Sequence, residues 1–160
     1  MGSPTVLPPS LLTHVALPVR DLDATLAFYE KYTTLEVIHR RTDPETHMRT
    51  AWLANAGDKT SADNAIGVQA ARFVIVLMSG SLPKQITGDI EEHYGFLTSI
   101  AHFGLSCASR DDIDRIADMA RADGCLLLGP MYRNEVVGYI CLVTDPDGNN
   151  IEFSVEQVLG

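Results

Sequence analysis

Two stretches decide how this chain folds: Thr13-His14-Val15-Ala16-Leu17-Pro18-Val19-Arg20-Asp21-Leu22-Asp23, and Ala101-His102-Phe103-Gly104-Leu105-Ser106-Cys107-Ala108-Ser109-Arg110-Asp111-Asp112. Each starts a β-like run with a histidine flanked by apolar or small residues. Each then reaches an acidic cluster of the kind that caps a helix. The same sentence written twice in one chain points to an internal duplication, which has to be settled before residues are read singly.

Working outward, both halves read strand, helix, strand, strand, strand. In the first, Leu12 to Val19 is a strand, and Asp21 or Asp23 caps a helix through Tyr32. Leu22, Leu26 and Tyr29 form the buried stripe of that helix. Strands follow at Leu35 to Arg41, Arg49 to Ala54 and Arg72 to Met78. In the second, Ser99 to Ala108 is a strand, and Ser109 or Asp111 caps a helix lined by Ile113, Ile116, Ala117 and Ala120. Gly124 stops that helix, and strands follow near Leu126 to Leu128, at Val136 to Val143 and at Asn150 to Val155. The expected organisation is therefore a flexible arm over 1–10, a first module over 11–78, a linker over 79–98 and a second module over 99–160. Within this plan the polar run Gly57 to Ala70 is a long loop, and one helical turn is expected near Glu91.

The bulk numbers bound the function. A chain of 160 residues, 46% hydrophobic, can bury a real core as one ordinary domain. Its net charge of −9 argues against nucleic acid or an anionic membrane as partner, because phosphate binding needs clustered Lys and Arg. No apolar run approaches a membrane span of roughly 20 residues, and no basic n-region announces a signal peptide. The three cysteines, Cys107, Cys125 and Cys141, lie in apolar stretches without metal-type spacing. They read as buried, reduced thiols, and a cytoplasmic protein is expected.

Strand alternation singles out three side chains. His14 shares a face with Ala16 and Pro18, His102 with Gly104 and Ser106, and Glu152 with Ser154, while bulky apolar residues take the opposite faces. Three faces kept this small suit a cavity better than a packed core. Two imidazoles and a carboxylate are borderline ligands for Fe, Mn, Zn or Ni that leave coordination positions open. A lone histidine on a strand is more often a core or surface residue than a ligand, so the weight rests on the set. His39, His47 and His93 lie in charged or polar contexts and carry no role. Asp145-Pro146-Asp147-Gly148-Asn149-Asn150 reads as a hairpin turn that fixes the register of Glu152.

Taken together, Thr13 to Asp23 with Ala27-Phe28-Tyr29-Glu30, Ala101 to Leu105, and Asp145 to Phe153 resemble the vicinal oxygen chelate superfamily of glyoxalases, bleomycin-resistance proteins and extradiol dioxygenases. The resemblance implies an α+β fold in which two tandem βαβββ modules form curved mixed sheets around a metal cavity. It implies His14, His102 and Glu152 as ligands of one divalent metal, Fe(II) favoured, with Mn, Zn and Ni as alternatives. It also implies a small-molecule substrate chelating the metal through vicinal oxygens, and a homodimer, since members often pair modules across two chains.

The reaction leans to dioxygenase-type chemistry. A glyoxalase-type fourth ligand is missing from Phe73 to Leu77, and no Lys or Arg follows Glu152 to hold a phosphonate as fosfomycin-modifying members need. Against the lean, the dioxygenase branch carries a tyrosine where this chain has Leu142, and Tyr139 has the opposite strand parity. The acid and base are unassigned. The alternatives are a lyase or isomerase, or a binding protein without catalysis.

Overall fold

Both helices among the described residues start where their caps put them. The computed structural model describes residues 12–56, 73–80 and 94–158. In it β1 (His14–Pro18) leads into α1 (Leu22–Tyr32). The Asp21 carboxylate accepts from the backbone N–H of Asp23 at 2.9 Å and of Ala24 at 3.1 Å, satisfying two amides that α1 cannot satisfy itself. Strands β2 (Leu35–Thr42), β3 (Arg49–Asn55) and β4 (Val74–Ser79) complete the first half. In the second half β5 (Phe103–Ser106) precedes α2 (Arg110–Asp123), capped by the Ser109 hydroxyl, which accepts from Asp112 N–H at 3.2 Å. Gly124, at φ 76°, closes α2 in the left-handed conformation that glycine adopts without steric cost. Strands β6 (Leu126–Asn134), β7 (Gly138–Thr144) and β8 (Asn150–Val155) follow.

The strands form two four-stranded sheets with the same plan, β1-β4-β3-β2 and β5-β8-β7-β6. In each, the first strand lies parallel to the last and the remaining pairs are antiparallel. A helix separates the first strand from the rest, which frees it to return beside the fourth. This is the duplicated βαβββ, α+β architecture.

Some boundaries differ from expectation. β5 begins at Phe103 rather than Ser99, because Ser99 has φ 60° and a turn bond runs from Ala101 N–H to Thr98 C=O at 3.0 Å. His102 therefore sits one residue before the strand. β6 extends to Asn134, well past Leu128, and β7 starts later than Val136. There the Asn134 side chain accepts from the N–H groups of Val136 and Val137 at 3.0 and 2.9 Å, which ties off a turn. The arm 1–10, the loop Gly57 to Ala70, the turn near Glu91 and His93 lie outside the described residues.

Each helix packs on one face of its own sheet. Leu22, Leu26 and Tyr29 of α1 join Leu17, Ala51, Leu53 and Leu77 in the core, while Ile113, Ala117 and Ala120 of α2 join Cys141, Val143, Ile151 and Phe153. Each large side chain so buried stabilises by about 1.5–3 kcal/mol. Among the described residues the opposite face of each sheet carries no helix, and that is where the candidate ligands lie.

The hairpin turn does more than set register. It is buried, with Asp145, Asp147 and Asn149 at 4, 5 and 1% exposure. Asp147 accepts from Arg20 N–H at 2.8 Å and from the Thr25 hydroxyl at 3.0 Å, and Asp145 accepts from the Tyr29 hydroxyl at 3.3 Å. A turn of the second module thus seats the helix of the first. Burial raises the Asp145 carboxyl above its ordinary range against the lowering by Asn149, and burial beside Asp145 raises the Tyr29 phenol.

Candidate metal centre

Glu152 lies at the third position of β8, paired on one side with Gly104 of β5 and on the other with Leu142 of β7. Paired residues share a face, so this row continues away from α2, with Ser106, Ser154 and Ile140 in the next row. Glu152 is 5% exposed, a carboxylate held out of water. Such a charge is costly unless paired or coordinated.

His102 meets it. Its Nε2 is 3.5 Å from Glu152 Oε2, and its Nδ1 is 2.8 Å from the Ile100 carbonyl. A carbonyl only accepts, so Nδ1 carries the proton, and in the neutral ring the lone pair sits on Nε2 facing the carboxylate. Two lone-pair atoms facing one another call for a cation or a proton between them. The separation also suits a shared cation: with bonds of about 2.1 Å to nitrogen and oxygen, tetrahedral ligands stand roughly 3.4 Å apart. An Nδ1–H bonded to a backbone carbonyl is the usual support of a metal-binding histidine. The donor chemistry of this pair therefore fits a divalent metal.

His14 lies elsewhere. It begins β1 in the other sheet, exposed, with Nδ1 at 2.9 Å from the Thr13 hydroxyl. Among the described residues no three His, Cys, Asp or Glu side chains converge on one centre within the chain. The structure thus brings His102 and Glu152 together and leaves His14 on a separate face. That face pairs His14 with Val74, Ala16 with Val76, and Val76 in turn with Trp52. Trp52 is 40% exposed, and its ring stands 4.7 Å from that of His39.

Tyr139 points to the helix side. Its hydroxyl donates to Asp114 of α2 at 2.6 Å, a contact that raises the phenol above its ordinary value. Strand parity assigned it that direction, and the face bearing Glu152 presents Leu142 and Ile140 instead.

One residue at the centre gave no sequence signal. The Gln157 amide nitrogen donates to Glu152 Oε1 at 3.2 Å. Alternation along β8 would turn Gln157 away from Glu152, because their numbers differ in parity. A cavity of 830 Å³ also opens between the modules, lined by Leu53, Phe73, Phe103, Ile116, Met119 and Phe153. It neighbours the helix-packed faces and contains neither His102 nor Glu152, so it is not this centre.

Comparison with known proteins agrees with the fold. Residues 11–153 match the model of the Glyoxalase/Bleomycin resistance protein/Dioxygenase superfamily. An uncharacterized Pseudomonas aeruginosa protein, PA2024, is 39% identical over 149 residues, covering 93% of this chain and 91% of that one. The fosfomycin resistance protein FosX from Listeria monocytogenes superposes with TM-score 0.63 at 19% identity, over 94% of this chain and 96% of that one. A mutant of FosX was solved with Mn(II) and dihydroxypropylphosphonic acid. The trypanothione-dependent glyoxalase I of Leishmania major superposes with TM-score 0.60 at 19% identity, over 92% and 88% of the two chains.

Proposed function

Because this chain belongs to the Glyoxalase/Bleomycin resistance protein/Dioxygenase superfamily, we propose that it is a metal-dependent enzyme acting on a small molecule that chelates a divalent metal through vicinal oxygens. His102 and Glu152 of one chain hold the metal, and His14 of a second copy completes the set. The observation that carries this reading is the pair itself: an imidazole with its proton fixed on Nδ1, 3.5 Å from a buried carboxylate oxygen. The exposed His14, on a sheet face that no described helix covers, supports its supply to another chain rather than to its own. A metal held there supplies Lewis-acid polarisation of the chelating oxygens, or an open site for oxygen. The chain's own contribution is to exclude water and orient the substrate.

The walls favour a substrate with an apolar body. Val74, Val76 and Trp52 share the face of His14, and Ile140 and Leu142 share that of Glu152. Dioxygenase chemistry with Fe(II) is the first reaction class, on ligand type. The placement of Tyr139 against Asp114 favours a second, a lyase or isomerase step on Mn, Zn or Ni, because the Glu152 face has no tyrosine to serve as acid or base.

A complementation experiment tests the shared centre. Purified His14→Ala and Glu152→Ala variants each lose Mn(II) binding, and a 1:1 mixture of exchanged subunits recovers about a quarter of the sites, since half the dimers are mixed and each holds one intact set. Full metal occupancy in His14→Ala, or in Glu152→Ala, would refute the ligand assignment. Mixed dimers without recovery would refute the sharing.

A further inference from the structure

The segment that leaves β8 is folded back on Glu152 by three separate devices. Glu156, the residue after the strand, has φ 65°, a conformation rare for a side-chain-bearing residue. It is held there by Arg110 of α2, whose guanidinium donates to both carboxylate oxygens at 2.9 and 2.5 Å. Val158 N–H then bonds the Val136 carbonyl at 2.9 Å and pins the tail to the β6–β7 turn. At the crossing, Gly138 has φ 77°, and a Cβ there would stand 2.2 Å from the Val155 carbonyl oxygen and 3.0 Å from Gln157 N. Only glycine lets the tail pass so close.

These devices deliver one side chain. Gln157 Nε2 donates to Glu152 Oε1 at 3.2 Å, and Gln157 Oε1 accepts from the buried Ser154 hydroxyl, also at 3.2 Å. The amide can face only one way, because a carboxylate accepts and does not donate, so the NH₂ must point to Glu152. The two carboxylate oxygens are thereby given different partners. Oε1 is occupied by the amide, and Oε2 faces His102.

We infer that Gln157 is a positioning residue for the metal centre, holding Glu152 so that Oε2 alone is presented to the cation beside His102. The inference rests on the metal reading above and adds to it a chain, Ser154 to Gln157 to Glu152, that fixes the carboxylate rotation. Backbone strain at Glu156 and the missing side chain at Gly138 serve that placement.

The test is Mn(II) titration, following the free-ion EPR signal, on the wild-type dimer and on Gln157→Ala, Ser154→Ala and Glu152→Ala. Thermal unfolding of the metal-free proteins runs alongside. Gln157 is partly exposed, so water can replace its amide and truncation lowers the metal-free unfolding midpoint by only a few degrees, while weakening Mn(II) binding by about 10–100-fold, the usual cost of losing a group that orients a ligand. Ser154→Ala weakens it less, because the amide keeps its bond to Glu152. The EPR line shape of bound Mn(II) also changes in Gln157→Ala as the carboxylate rotates. Wild-type binding within about twofold in Gln157→Ala, with an unaltered spectrum, overturns the inference while the metal reading stands. No binding by the wild type overturns both.

Discussion

Replacing Asp147 by alanine probes whether the buried turn fastens the two modules together. The carboxylate accepts from Arg20 N–H at 2.8 Å and the Thr25 hydroxyl at 3.0 Å, with Thr25 fully buried and Asp147 at 5% exposure. The ion pair to the Arg20 guanidinium is 3.5 Å long and half-exposed, so it is given no weight. Hydrogen bonds to a charged group are each worth about 1.5–3 kcal/mol, a gross loss of roughly 3–6 kcal/mol for the two. Arg20 is exposed and water can reach its N–H once the carboxylate is gone, which brings the expected loss to about 3 kcal/mol. For a chain of this size that lowers the melting temperature by about 6–12 °C. Urea unfolding of wild type, Asp147→Ala, Thr25→Val and the double variant measures it, with the m-value checked for constancy. Asp147 and Thr25 share one bond, so the double variant should cost about 1 kcal/mol less than the sum of the single ones. A loss below about 0.5 kcal/mol in Asp147→Ala, or strict additivity, would show that the turn does not carry the contact between modules.

Trp52 is the chain's single tryptophan, on the face of His14, so catechol added with Mn(II) should quench intrinsic fluorescence, and should not do so in Glu152→Ala. Unchanged emission at saturating catechol would remove this face from the substrate wall. Among the three thiols Cys141 should be the last to react with iodoacetamide, being fully buried and pushed up to about 12 by burial and by neighbouring Cys107, Asp114 and Glu152. Mass spectrometry of partially alkylated native protein reads the order, and early labelling of Cys141 contradicts its packing against α2.

The repeat, the helix caps and the faces of the strands were legible in the sequence because each depends on neighbours a few residues away. Asp21 and Ser109 cap by reaching amides two or three positions on, and alternation assigned Glu152 and Tyr139 to opposite sides of their sheet without knowledge of what packs there. The shortened β5 was not legible, because Ser99 carries no residue signal for its positive φ. Gln157 was illegible for the same reason one step further along: its contact with Glu152 exists only because Glu156 reverses the chain, and Arg110, 46 positions away, holds Glu156 there.

The sequence by itself determined which side chains are of metal-ligand type and which faces of their strands His14 and Glu152 occupy, since those follow from residue type and a period of two. Only the tertiary structure decided which of them meet. His102 and Glu152 come together because β8 returns parallel to β5, whereas His14 belongs to a sheet built with β4 and, among the described residues, does not converge with them. Convergence is a property of strand order and module packing, which long-range contacts set and local pattern does not.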